Sequence, residues 1–349
     1  MLLSRTTHPI LPLDKPWEAG GRPAAVAVLP ESEEGEPNPA ESATDQLRLY
    51  YMVLFGDDPG RNLLCLARSR DGYQWDKPDL GDGTNVVMRA TGLTCDWGVF
   101  MATRVFRDAL EDDAGKRWKM VYWERLSAEV RPGICTATSL DGLRWTPRVG
   151  RPAITNANDA MSVMPTKPGL DQPLREGRYL LYQQTWKYNP SLPRERDNLK
   201  GMHRRVSVWT GSDFAHWTGP ITVLEPDTDD PADIQFYWLS PFHTDTGYGG
   251  LLFCHHTTEQ HMDVQLVTSP DGWAWRRELD RQPLLPTGER GAWDCGLVNA
   301  WAAPVRWQGK VLLLYNGRAT VHDGQPRYPG DPSTDPGIGV AELDPAILG

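Results

Sequence analysis

One nine-residue pattern returns along the chain, and a repeat of this kind restricts the architecture more than any average over the sequence can. It reads Ala67-Arg68-Ser69-Arg70-Asp71-Gly72-Tyr73-Gln74-Trp75, then Ala137-Thr138-Ser139-Leu140-Asp141-Gly142-Leu143-Arg144-Trp145. A degenerate copy follows at Trp209-Thr210-Gly211-Ser212-Asp213-Phe214-Ala215-His216-Trp217, and another full one at Val267-Thr268-Ser269-Pro270-Asp271-Gly272-Trp273-Ala274-Trp275. Each copy reads as a strand entering a tight turn: the Asp side chain takes local N–H groups, Gly adopts a positive φ, and the Trp packs between layers as the chain returns. Asp71, Asp141, Asp213 and Asp271 are therefore expected to form turns rather than to act in catalysis.

The repeat spacing, roughly 60 to 70 residues, is that of a long propeller blade. Strand-like runs precede each turn, such as Val99–Phe106 and Trp118–Trp123 in the second unit, Met161–Met164 and Tyr179–Gln184 in the third, and Phe236–Leu239 and Leu251–Cys254 in the fourth. Pro23–Val28, Leu47–Leu54 and Leu63–Leu66 give the first unit the same plan. A fifth unit, Val298–Val305, Val311–Tyr315 and Ile338–Glu342, lacks an outer strand, which the residues before Trp17 are placed to supply. The expected fold is all-β: a five-bladed β-propeller with four-stranded blades, its ring closed by the N-terminal segment. It is read as one domain, 1–349, with blades near 17–80, 96–150, 159–225, 233–285 and 294–345. A content of 15 Trp, 33 Gly and 30 Pro, many large rings and many turns, favours the same β-rich reading.

Charge narrows the partners. Asp and Glu total 46 against 36 Lys and Arg, and the resulting −10 repels phosphate backbones and anionic headgroups, so neither nucleic acid nor a membrane is expected as partner. No apolar run approaches the roughly 18 residues that span a bilayer, and Met1–Pro9 lacks the basic and apolar stretches of a signal peptide, so a cytoplasmic location is expected. The cysteines, Cys65, Cys95, Cys135, Cys254 and Cys295, are odd in number and widely spaced, which suits buried free thiols better than zinc or redox pairs. No G-x-S-x-G, P-loop or dinucleotide fingerprint sits in a strand-helix unit.

In a propeller the innermost strand of each blade starts on one face, and the loop after the second strand returns to it, so pocket residues come from those two places. The inner-strand starts carry Glu18 and Arg22, Asp96 and Trp97, Asp159, Asp233 with Gln235 and Tyr237, and Asp294. Arg104, Trp238, Asn299 and Trp301 follow on the inner strands, and Glu124, Trp186, His256 and Arg318 mark the ends of second strands. Converging carboxylates are what glycoside hydrolysis requires, one acid for the leaving oxygen and one carboxylate for the anomeric carbon or water, roughly 5–9.5 Å apart. Asp96, Asp159, Asp233 and Asp294 are the expected catalytic acids. The remaining residues are expected to bind a small carbohydrate, with Trp97, Trp186, Trp238 and Trp301 offering flat apolar faces and Arg22, Arg104 and Arg318 taking hydroxyls or an acidic group. For any single Asp, capping of backbone N–H groups is the competing reading. His255, His256, His261 and Asp263 are metal-ligand types, but adjacent strand residues alternate faces, so satisfied structural histidines are favoured. No cofactor is required, although a structural divalent cation in the axial channel remains open, with His256 as a ligand.

The repeated turns, with the segments Asp159-Ala160-Met161-Ser162-Val163, Asp233-Ile234-Gln235-Phe236-Tyr237 and Trp293-Asp294-Cys295-Gly296, resemble the five-bladed-propeller glycoside hydrolases related to invertases and arabinanases. They are more similar still to a little-characterised bacterial group of glycosyl hydrolases. The resemblance implies three acids: a nucleophile or base Asp in the first blade, a supporting Asp in the middle and a general-acid Glu in a later blade. This chain departs from it in offering Glu18 in the first blade and Gln235 where the general-acid Glu is looked for, with Asp233, Glu124 or Asp294 as replacements. The long segments from Lys187 to Arg204 and from Arg318 to Pro336 are expected to narrow the pocket, which suits an exo-acting glycosidase on short oligosaccharides, and the resemblance favours a fructosyl or arabinosyl furanoside. A non-catalytic sugar-binding propeller is the alternative, and a sialidase-like hydrolase a weaker one, because that fold wants about six blades and an arginine cluster.

Overall fold

The structure is a computed structural model, and it describes residues 1–31, 46–93, 100–167, 177–189, 196, 199–331 and 335–349. Strand β1 (Leu2–Arg5) opens the chain. β2 (Arg22–Pro30), β3 (Leu47–Leu54), β4 (Leu63–Ser69) and β5 (Val86–Arg89) then form an antiparallel meander in chain order. The second sheet runs β6 (Met101–Arg107), β7 (Trp118–Glu124) and β8 (Gly133–Ser139), with the two short strands β9 (Thr146–Pro147) and β10 (Ile154–Thr155) both paired to β8. The third comprises β11 (Met161–Pro165), β12 (Tyr179–Tyr188), β13 (Met202–Gly211) and β14 (Trp217–Leu224).

The remaining strands share one ten-stranded sheet. Its first half is β15 (Ile234–His243), β16 (Tyr248–His256) and β17 (His261–Ser269), extended by β18 (Arg276–Arg277) and β19 (Pro283–Leu285). Its second half is β20 (Leu297–Asn299), β21 (Val305–Trp307), β22 (Lys310–Arg318) and β23 (Gly337–Leu343), with β1 paired antiparallel to β23 through Leu2↔Leu343 and Arg5↔Ala341. A single parallel pair, Met262↔Leu297, joins the halves. The N-terminal residues thus supply the outer strand missing from the last repeat. The architecture is all-β, built of successive antiparallel sheets and consistent with a β-propeller. Among the described residues no helix is long and apolar enough to cross a membrane.

Strand patterning shows why these segments form sheets packed on both faces. Along β3, Leu47, Leu49, Tyr51 and Val53 enter one core cluster while Tyr50 and Met52 enter another, as alternation demands of a strand covered on both sides. The turns behave as the repeat implies. Asp71 accepts the N–H groups of Tyr73 at 2.7 Å and Gln74 at 2.8 Å and the Ser69 hydroxyl at 3.0 Å. Asp141 and Asp271 do the same for their own turns. In the degenerate copy Asp213 caps Ala215 and His216, and Phe214 takes a φ of 61° where the other copies use Gly.

Each turn also meets the preceding sheet. The Tyr50 hydroxyl donates to the Gly142 carbonyl at 3.1 Å, Phe214 packs edge-on to Phe106, and the Tyr182 hydroxyl donates to the Gly272 carbonyl at 2.7 Å. One more contact closes the series: Trp307 Nε1 donates to the Arg70 carbonyl at 2.7 Å, linking the end of the chain to the first turn. Cys65, Cys135, Cys254 and Cys295 are buried and free. Cys95 lies outside the described residues.

Candidate active site

The first strands of all these meanders contribute to one cavity of about 290 Å³. Arg22, Pro23 and Ala24 come from β2, Met101 from β6, Asp159 and Ala160 from the approach to β11, Tyr237 and Trp238 from β15, and Leu297 and Asn299 from β20. Second-strand ends add Leu54, Phe253 and Asn316 to Arg318, and the loop after β22 adds His322. Seven of the expected site residues therefore meet here: Asp159, Arg22, Tyr237, Trp238, Asn299, Trp301 and Arg318.

Asp159 is the acid among them. It is part-buried, its carboxyl pushed up to about 6 by desolvation and only partly pulled back by its own N–H and that of Ala160. No described cation pairs with it. Trp238 and Trp301, both largely buried, line the cavity and stack on each other at 5.1 Å with planes 13° apart. The Tyr237 hydroxyl and His322 Nε2 lie 3.2 Å apart, and the His322 ring is 4.6 Å from His255. Asn316 accepts the Ala25 N–H at 2.7 Å and donates to Asn299 at 2.9 Å, tying β22 to β2 and β20 within the cavity lining.

Arg318 is held by backbone alone among the described residues: its Nη2 donates to the carbonyls of Val321 at 2.8 Å and His322 at 3.2 Å, while its buried Nε has no partner there. Burial, with the Arg22 guanidinium nearby, holds its pKa down to about 10. Arg22 itself is exposed.

The other expected residues are placed elsewhere. Asp233 is a cap: its carboxylate accepts the Thr258 N–H at 3.2 Å and its carbonyl takes both Thr257 donors. Asp294 is buried against the Tyr315 hydroxyl at 2.9 Å and Arg5 at 3.4 Å, where it ties β1 to the last sheet. Neither lines the cavity, so the expected convergence of inner-strand carboxylates is not met by these two. Buried Glu18 accepts from Tyr51 and from Lys77, each at 2.6 Å, and buried Glu124 accepts the Thr91 and Gly92 N–H groups at 2.7 Å. Both carboxylates are consumed in holding loops.

Gln235 is fully buried and takes Arg204 Nη1 at 2.7 Å on its Oε1, away from the cavity. Arg104 is buried, donates to the Pro241 carbonyl at 3.2 Å, and has two further donors, Nε and Nη1, without a partner among the described residues. Trp186 lines a neighbouring cavity with Arg125, Arg131 and Asn158. His256 faces Asp263 at 3.0 Å and stacks on His261 at 4.1 Å, and the ligand atoms of these three lie within 4.8 Å of one another. That group is the one metal-capable cluster among the described residues, and it sits on the β16–β17 hairpin rather than in the cavity lining. Asp96 and Trp97 lie outside the described residues.

Sequence reasoning missed His322, Met101, Phe253 and Met262 as lining residues. The signal for His322 was present, since the loop after each second strand returns to the pocket face. Nothing in the pattern separates Met101, Phe253 or Met262 from ordinary core.

No sequence-family profile matches the chain, and no curated protein matches it in sequence. Solved structures do match over nearly its whole length. A complex of BT0996 with RGII is similar at a TM-score of 0.62 and 12% identity, covering 98% of this chain and 92% of that one. An endo-arabinase from Bacteroides thetaiotaomicron aligns at 0.54 and 12%, covering 97% and 98%. A structure from the GH130 family of mannoside phosphorylases, which contains glycoside hydrolases that target β-1,2 mannosidic linkages in Candida mannan, aligns at 0.55 and 14%, covering 97% and 92%. At these identities the likeness is one of fold, shared with glycoside hydrolases.

Proposed function

We propose that this protein is a five-bladed propeller glycoside hydrolase whose chemistry occurs in the cavity shared by the first strands, with Asp159 as its acid. The observation that carries the reading is a carboxyl with a pKa raised to about 6, without a described cationic partner, in a cavity with a stacked Trp pair. A carboxyl in that range is protonated often enough near neutrality to donate to a leaving glycosidic oxygen. The Trp238–Trp301 face supplies the apolar surface on which a sugar ring rests. At about 290 Å³ the cavity lies at the small end of ligand sites, suited to one sugar residue and hence to exo-action on a short glycoside.

The partner carboxylate expected from sequence is Asp96, which precedes β6 much as Asp159 precedes β11. The test is product release followed by NMR from fructo-, arabino-, galacto- and glucosides and from galacturonides and glucuronides, comparing the native protein with Asp159→Asn and Asp96→Asn. Cleavage of one class that falls by roughly a hundredfold or more in Asp159→Asn establishes the reading. Saturable sugar binding with no turnover of any panel member would establish a binding propeller instead.

A further inference from the structure

The chain carries a net charge of −10, yet the cavity presents two guanidinium groups and a single described carboxyl. Among the described residues neither arginine has an acidic partner within ion-pair reach. Elsewhere the protein pairs its arginines with acids freely, as in Arg277 with Asp230, Arg281 with Asp227 and Arg290 with Asp331. Arg318 is part-buried, has an orphaned Nε and is crowded by the like charge of Arg22 more than it is drawn by Asp323, which Arg196 already holds at 2.8 Å, an arrangement that costs stability unless an anion is there to occupy it. Asp159 does not fill that role. It enters from the third sheet, the arginines from the first and last, and neither guanidinium is close enough to hold its carboxyl ionised.

We propose that the substrate is an acidic sugar, a glycoside whose terminal residue carries a carboxylate that is clamped between Arg22 and Arg318 while Asp159 faces the glycosidic oxygen. The clause about Asp159 rests on the hydrolase reading, whereas the clamp does not. A planar carboxylate suits guanidinium forks, and a cationic cavity in an acidic protein concentrates anions locally. His322, whose carbonyl receives Arg318 Nη2, presents its ring to the same cavity and adds a donor or acceptor for a neighbouring hydroxyl.

The experiment is calorimetric titration at low salt with D-galacturonate and D-glucuronate against D-galactose and D-glucose, and with inorganic phosphate as a separate arm. It uses the native protein, Arg22→Gln and Arg318→Gln. Arg22 is exposed, so its variant tests the clamp even where loss of Arg318 disturbs folding. The expected result is at least a roughly tenfold preference for a uronate over its neutral counterpart, falling towards unity in Arg22→Gln and weakening as salt is raised. Equal affinity for uronate and neutral sugar overturns the proposal, as does a preference that survives both substitutions. Phosphate binding tighter than either uronate also overturns it and assigns the arginines to free phosphate. Uronate binding without turnover of any uronide would leave the clamp standing and remove the hydrolase reading.

Discussion

At the scale of single residues, the role proposed for Asp159 comes with a pH-dependent effect on stability. Its folded pKa, about 6, lies above the ordinary value of 3.8, so the folded state binds the extra proton between those values. Stability contributed by the protonated form is fully present below about 4 and is lost as pH rises through 6, amounting to at most about 3 kcal/mol. Asp159→Asn is therefore expected to raise the unfolding free energy at pH 7 to 8, with the gain shrinking towards pH 4, as urea titrations across that range would show. For the proposed hydrolase, kcat/KM is expected to fall as pH passes above about 6, when Asp159 loses its proton. Gln235→Glu provides the contrast. Its side chain faces Arg204 and not the cavity, so turnover should change by no more than roughly threefold, and the position should not restore a general acid.

The inner-strand starts were legible in sequence because repeat and turn placed them, and Asp159 lines the cavity from such a start. Asp233 and Gln235 fall outside the cavity for local reasons, Asp233 capping Thr257 and Thr258 and Gln235 accepting from Arg204, and the facing of the residues after them escapes counting for another. β15 carries an irregularity between Phe236 and Trp238, and across it consecutive Tyr237 and Trp238 both line the cavity, which strict alternation forbids. Similar shifts interrupt β2 between Ala25 and Ala27 and β6 between Ala102 and Arg104. A bulge has no reliable residue signature, so facing assignments made by counting in twos fail beyond it.

At the scale of elements, the Asp-Gly turn is both a local cap and an inter-sheet contact, and the two parts can be separated. Asp71→Ala removes acceptors for two N–H groups and a hydroxyl, an expected loss of about 1–2 kcal/mol. Gly72→Ala should cost more, since φ is +81° there and the added methyl would lie 2.5 Å from Leu312 Cδ1 of the last sheet. Thermal or urea denaturation of the two variants gives the order directly, and equal losses would show that the contact with Leu312 relaxes freely. These turns were the most readable part of the chain, because their hydrogen bonds lie within a few residues. The pairing of β17 with β20, a single parallel contact, left no trace in the sequence.

At the scale of the whole molecule, the pairing of β1 with β23 joins residues from the two extremes of the chain. Removing residues 1–6 would bare the edge of β23 and free Asp294 from Arg5. The expected outcome is a drop of at least about 5 °C in Tm, with concentration-dependent self-association visible by light scattering. The same pairing has a consequence in time. A ribosome adds ~5–20 residues per second, and roughly 340 residues separate Leu2 from Leu343, so β1 emerges roughly twenty to seventy seconds before its partner exists. Through that interval the nascent chain has a first sheet without its final neighbour and an N-terminal strand without a sheet. A chaperone or a translational pause acting before β23 is made would therefore find β1 still without its partner strand.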